Sequence, residues 1–246
     1  MAVTPDPTAL AGHTRCAAGL MRSGYATLTA KDFGALAADP QMAAYHACWG
    51  QLPMDDEMPA GATYRRRRFG RLKVTVTDSV MTMEALPHAA FTQAAEIIAL
   101  HQGKARLFEP IPREVLLGPV MRALVAFDVA AAHAVSGSTR WLVNLHMVRV
   151  VARSGLDGQP TPEGRHRDGH LFVGMHLLGR TGCGGGESVV YVDDRPVMKT
   201  TMCDQLDSLI VDDQRVTHEV TAITSTGAEG IRDMLLVDLN LDPNGA

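Results

Sequence analysis

The chain has 246 residues, of which 46% are hydrophobic and 20% charged. Those proportions suit one generous globular domain and exclude disorder, collagen or coiled coil over the whole chain. A formal net charge of −4 argues against a protein built to hold nucleic acid. No apolar run is long enough to span a bilayer, and the first fifteen residues lack the basic-then-apolar pattern of a secretory leader. Cys16, Cys48, Cys183 and Cys203 stand singly, which reads as reduced thiols and a cytoplasmic location.

In chain order, residues 1–15 are rich in Pro and Thr and read as frayed or extended. Thr29 to Asp32 is a cap-like signal ahead of an Ala-rich helix, which breaks at Asp39-Pro40 and resumes from Met42 to Trp49. Gln51–Gly61 carries Pro and clustered acids and reads as a loop. Tyr64–Thr77, rich in Arg and β-branched residues, reads as two strands turning near Gly70. Helices are expected over 89–101 and 113–135, the second split at Gly118-Pro119.

Beyond Gly137 short β-branched runs alternate with Gly and Asp, over 141–152, 166–178, 188–192, 206–212, 216–224 and 231–239. That spacing predicts an antiparallel sandwich or barrel. The expected fold class is therefore α+β with a mainly β core, as one domain over 1–246. Residues 1–137 supply helical support with an Arg-rich strand region, and 138–240 the β core. The Ala-rich helices read as scaffold covering the sheet, with a face that can also serve a homodimer.

Of ten histidines, only His166 opens an H-x-D triplet. On a strand, His166 and Asp168 share a face and aim at one point, and Gly169 next to them lets the chain bend. His218 supplies a third ligand from another β run. Two histidines and one carboxylate leave positions open on an octahedral ion, which suits non-haem Fe(II). A closed zinc site would more often add cysteine at finger spacing, which neither histidine has. Arg232 opens the last strand, and its guanidinium fork is a natural carboxylate clamp.

The stretch Pro162-Glu-Gly-Arg-His166-Arg-Asp168-Gly169 resembles the signature of bacterial and fungal Fe(II)/2-oxoglutarate dioxygenases, a group that includes the L-isoleucine dioxygenases and related enzymes acting on free amino acids. The resemblance continues through Gly185-Gly186-Glu187, Asp212-Asp213, His218-Glu-Val-Thr221 and Gly230-Ile-Arg232-Asp233, with Trp141 to Arg149 upstream. It implies a double-stranded β-helix (a cupin-like jelly roll) buttressed by the N-terminal helices. It further implies His166, Asp168 and His218 as catalytic iron ligands, Arg232 on 2-oxoglutarate, and Fe(II), 2-oxoglutarate and O2 as cofactors. The implied reaction decarboxylates 2-oxoglutarate to succinate and CO2 and hydroxylates a small substrate, most simply a free L-amino acid. The same chemistry can also desaturate or cyclise, and a jelly roll of this kind can serve as a non-catalytic ligand-binding module. Met147 and Thr181-Gly-Cys183-Gly depart from the group's pattern and bear on substrate choice.

Four further residues are candidates for substrate contact. His170 shares strand parity with His166, as does His176, although a core or rim place suits both. His146 and Arg149 differ in parity, so one unbulged strand cannot aim both inward; Arg149 is the better partner for a substrate carboxylate. Arg68 belongs to the run Arg65-Arg66-Arg67-Arg68, whose alternate members face opposite ways. The run reads as solvated or structural, or as a substrate-anion contact; an acidic chain with 5% aromatics disfavours nucleic acid. Gly182–Gly186 lacks the GK[ST] ending of a phosphate loop and reads as a wide β-turn.

Overall fold

The computed structural model describes residues 1–4, 6–58, 61–78, 80–93 and 103–242. Its start is ordered where fraying was expected: β1 (Ala2–Val3) is followed by a helix, α1 (Leu10–Ser23). The helix buries Cys16, Ala17 and Leu20, and that packing outweighs the poor local propensity of the segment before it. Then comes β2 (Tyr25–Leu28). Thr29 and Asp32 do form a reciprocal capping box, opening a 3-10 segment over Ala30–Ala38, and α2 (Met42–Ala47) lies beyond the break at Asp39-Pro40.

β3 (Arg65–Thr77) is one continuous strand rather than a hairpin. Gly70 does not turn the chain; a Cβ there would lie 2.8 Å from Leu116 and 3.2 Å from Ile111, so glycine lets the neighbouring layer come close. After β4 (Val80–Ala85), the helix expected over 89–101 lies mostly outside the described residues. Its described start is not helical: Phe91 makes an antiparallel bridge to Arg106. α3 (Arg113–Leu116) and α4 (Pro119–Ser136) are separated at Gly118-Pro119, as the proline requires.

The β region runs β5 (Arg140–Arg153), β6 (Phe172–Thr181), β7 (Cys183–Gly185), β8 (Glu187–Val192), β9 (Arg195–Thr201), β10 (Ser208–Asp212), β11 (Thr217–Val220), β12 (Ile223–Ser225) and β13 (Glu229–Leu241). Three expectations change here. The run 166–178 is loop until Phe172, and the run 216–224 divides into β11 and β12. The glycines of 182–186 do not make a plain turn: β7 pairs with β12, with positive φ at Gly182, Gly185 and Gly186. β9 has no counterpart among the predicted runs, since it buries no residue and so lacks an apolar pattern.

One sheet has the order β1-β4-β3-β5-β13-β6-β10-β2, and the smaller sheet β11-β8-β9 faces it. This is a double-stranded β-helix. Both faces of the large sheet are covered, so its central strands read as continuous apolar runs. Trp141, Val143, Leu145 and Met147 of β5, with Leu235, Val237 and Leu239 of β13, pack against Met121, Leu124 and Val125 of α4. Each such side chain contributes about 1.5–3 kcal/mol by burial. The alternate residues, Val148 and Val150 among them, face the inside of the β-helix. α4 is apolar and long enough to cross a membrane by composition, but most of its large apolar side chains are buried in this core.

The helix layer also carries a buried polar anchor. Asp128 of α4 lies 2.9 Å from His176 Nε2, whose Nδ1 lies 2.9 Å from Ser208 Oγ. His176 is therefore a core residue. Gly174 makes room for the anchor, because a Cβ at 174 would collide with the Asp128 carboxylate. Gly174→Ala is expected to destabilise the fold by about 1–3 kcal/mol through overpacking. An unchanged urea midpoint would show that Asp128 can move aside.

Candidate active site

The metal-ligand candidates meet because a loop and a strand exchange backbone hydrogen bonds. His166 N–H donates to the His218 carbonyl and His218 N–H to the His166 carbonyl, both at 2.9 Å. The two imidazoles then sit with centroids 4.6 Å apart. Asp168 completes the group: its carboxylate is 3.5 Å from His166 Nε2 and 3.3 Å from His218 Nε2. One ligand atom from each residue lies within 4.8 Å of the others. His166 Nδ1–H donates to the Gly164 carbonyl at 2.9 Å, which leaves the Nε2 lone pair facing the group.

Regular strand pairing does not shape the loop after His166. Gly169 sits at φ 84°, in the left-handed region where a side chain would be strained. Asp213 holds the turn from behind, its carboxylate accepting the N–H groups of Asp168, Gly169 and His170 at 3.0, 2.7 and 3.1 Å. Asp213 is fully buried, and burial together with the nearby Asp168 charge pushes its pKa up. For Asp168 burial acts upward, but hydrogen bonds and charge from His166 and His218 prevail and hold it well below the usual range. Burial acts downward on His166, yet Asp168 and Glu163 raise it to about 9. This is the electrostatics of a site that gathers positive charge around one carboxylate, and the donor set fits a divalent ion with open positions.

The group opens into a cavity whose lining mixes charged, aromatic and aliphatic side chains, the character of a small-molecule site. Val148, Val150, Val173, Met175, Met234 and Leu236 give it an apolar floor. Arg232 also lines it and is 3% exposed. Its neighbours do not neutralise it: Asp233 pairs with Arg149 and His46, and Glu229 with Arg153. Among the described residues Arg232 Nε has no hydrogen-bond partner. Burial and the adjacent Arg180 lower its pKa to about 10, so an anion would relieve it.

A second polar cluster lines the same cavity. Arg67 donates from Nη2 to His146 Nδ1 at 2.6 Å, and His146 Nε2 lies 3.0 Å from Asp238. An arginine cannot accept, so His146 must be neutral with its proton on Nε2. Burial and the Arg67 charge accordingly lower its pKa to about 4. Arg65 donates to Asp55 at 2.6 Å. Arg106 donates to Gln93 Oε1, and Gln93 Nε2 donates to the Asp168 carbonyl at 2.9 Å.

The cavity therefore contains His166, Asp168, His218, Arg232 and His146, but not the other expected contacts. Arg149 shares parity with Met147 and faces the helix side, where Asp233 binds it at 2.7 and 2.8 Å. Arg68 shares parity with Gly70, also faces away, and donates to the Pro110 carbonyl. His170 is buried behind Asp238, at 3.1 Å from its carboxylate. Met147 is a core residue and leaves the cavity unchanged. Arg65 and Arg67 were accessible to the same alternation argument that split the Arg run. Arg106, Gln93, Asp213 and Asp238 carry no local signal of their positions.

The family model described as 2OG-Fe dioxygenase matches residues 46–238. Sequence comparison with curated proteins gives no match. Among solved structures, a BsmA homolog from Methylobium petroleophilum PM1 is 30% identical with a TM-score of 0.83, over 94% of this chain and 93% of that one. IDO from Bacillus thuringiensis shares the fold at 20% identity and TM-score 0.76, over 94% and 99%. The Fe(II)/α-ketoglutarate-dependent dioxygenase TqaL does so at 16% and 0.73, over 98% and 92%. The chain belongs to the 2OG-Fe dioxygenase family and is an oxygenase dependent on Fe(II), 2-oxoglutarate and O2.

Proposed function

We propose that His166, Asp168 and His218 hold the iron, that Arg232 binds the far carboxylate of 2-oxoglutarate, and that the protein hydroxylates a free L-amino acid or a close small-molecule analogue. The observation that carries this reading is the pairing, in one cavity, of a His-Asp-His group with a buried arginine that no carboxylate of the described residues neutralises. The resemblance to amino acid oxygenases supports the substrate class. Four free cysteines support a reducing compartment, and we place the protein in the cytoplasm.

When bound, the iron couples O2 reduction to the conversion of 2-oxoglutarate to succinate and CO2 and oxidises a substrate C–H bond. The chain's own part is positional. Gly164 fixes the His166 ring, Asp213 fixes the backbone carrying Asp168, and the His218 bridge fixes their separation. Arg232 gives the cosubstrate a charged anchor at one end of the floor. Val148, Val150, Met175 and Met234 line the floor with hydrocarbon, which would keep water from the reacting carbon.

The test is succinate formation by the purified protein with Fe(II), ascorbate and 2-oxoglutarate, against each proteinogenic L-amino acid, with mass spectrometry of every mixture. Substrate-dependent succinate and a product heavier by one oxygen are expected. Loss of two hydrogens would replace hydroxylation by desaturation or ring closure, and absence of iron binding would favour a non-catalytic barrel. Asp168→Ala is expected to weaken Fe(II) binding by more than about 100-fold and abolish succinate, with a near-native circular dichroism spectrum. Full turnover in that variant would remove Asp168 from the metal site. Arg232→Ala should lose one charge-assisted pair, about 1.5–3 kcal/mol, and raise the half-saturating 2-oxoglutarate concentration about ten- to a hundredfold. Unchanged dependence would assign the clamp elsewhere.

A further inference from the structure

The cavity has more buried positive charge than one cosubstrate clamp explains. Arg65, Arg67 and Arg106 are 6%, 8% and 2% exposed, and all three line it. Among the described residues only Asp55 pairs directly with one of them, Arg65. Arg67 faces the neutral His146, and Arg106 faces the amide of Gln93. Asp238 does not complete the balance, because its carboxylate is turned to His146 and His170, at 3.0 and 3.1 Å, and not to an arginine. Glu163 lies at the other end, 3.5 Å from His166.

What surrounds the cluster is aromatic. The Arg67 guanidinium is 4.3 Å from the centroid of Phe108, and that of Arg106 is 5.1 Å from Phe91. Ring faces partly answer the charge and also hold the planar forks in place. Among the described residues, Arg65 Nη2 and Arg106 Nε are buried with no hydrogen-bond partner. A buried donor left without an acceptor carries a desolvation penalty that an incoming anion removes.

The position of the cluster separates it from Arg232. Arg65 and Arg232 are both register partners of Val150, from opposite sides. Two strand spacings, about 10 Å, therefore divide their backbones. Arg65 turns to Asp55 at 2.6 Å, whereas Arg232 stands beside Arg180 with its Nε unpartnered among the described residues, so the two cations have separate surroundings.

We propose that Arg65, Arg67 and Arg106 form a second anion subsite, which takes the carboxylate of the organic substrate while Arg232 takes that of 2-oxoglutarate. The assignment rests on the oxygenase reading above and deepens it: the substrate is a carboxylic acid, recognised through its charge, with its aliphatic part on the floor made by Val148, Val150 and Met234. Gln93 ties the subsite to the metal loop, since it accepts from Arg106 and donates to the Asp168 carbonyl. A seated carboxylate is thereby registered against the iron ligands. Arg65, Arg67 and Arg106 thus assume the role that the sequence pattern assigned to Arg149 and Arg68.

The test is calorimetric binding to the protein loaded with Mn(II) and 2-oxoglutarate, so that the Arg232 clamp is already filled. The probes are the proteinogenic L-amino acids and 4-methylpentanoate, each compared with its primary amide, which keeps the shape and removes the charge. At least one acid is expected to bind at least about tenfold more tightly than its amide. That preference should collapse in Arg67→Gln and in Arg106→Gln, with 2-oxoglutarate affinity unchanged.

The wild-type comparison of acid with amide decides the matter even where a variant fails to fold. Equal binding of acid and amide overturns the proposal, as does no binding of any acid at millimolar concentration. Loss of 2-oxoglutarate affinity in the two variants, with the acid preference intact, would reassign the cluster to the cosubstrate and overturn it equally. Acid-selective binding without succinate from any amino acid would leave the subsite standing and sink the free amino acid reading instead.

Discussion

Side chains alternate across a strand, and that single constraint divides the labour of the large sheet. β5 and β13 pair in unbroken register from Arg153 with Glu229 to Trp141 with Leu241. Odd positions of both strands build the helix-side core, whereas Arg232, Met234, Leu236 and Asp238 face the cavity with His146, Val148 and Val150. A slip of one residue would move Arg232 into the helix layer and Asp233 into the cavity. The helices on the far side therefore matter to chemistry. By burying Trp141, Met147 and Leu235 they hold the register that aims the polar residues inward.

The metal group follows a different rule, because its loop lies outside regular pairing. Three backbone N–H groups converge on one buried carboxylate, Asp213, and the His166–His218 bridge closes the other side. Such a nest fixes backbone direction without depending on the side chains it positions. Ligand placement can then coexist with mutual attraction among His166, Asp168 and His218. Rigid support of this kind is what an open coordination site needs, since the ligands must not close the positions left for cosubstrate and O2.

Charge is distributed along the cavity with the same economy. One end carries the Asp168 carboxylate answered by two histidines, and Arg232 and the Arg65–Arg67–Arg106 cluster flank the apolar floor. Neutral His146 passes the Arg67 hydrogen bond on to Asp238 without adding charge. The sheet thus presents two separated cationic stations with hydrocarbon between them. That arrangement matches the two anion positions proposed above.

Local pattern was enough for much of this. The capping box at Thr29 and Asp32, the break at Gly118-Pro119, the long runs that became β5 and β13, and the choice of His166, Asp168 and His218, whose side chains the structure brings together, all depend on residues close in sequence or on motif order. Local pattern misled where burial came from elsewhere: α1 is held by packing, Gly70 is mid-strand because Leu116 and Ile111 approach it, and β9 has no apolar rhythm to read. Composition and local pattern were sufficient for the fold class, for the two-histidine, one-carboxylate character of the group around Asp168 and for the parting of alternate arginines in the run. Long-range packing settles which arginines face the cavity, that Asp233 neutralises Arg149, that Arg106, Gln93 and Asp238 line the cavity, and that Asp213 holds the loop behind it. Which face a strand buries, and which distant carboxylate reaches which cation, depends on contacts between segments far apart in the chain, and no local window contains them.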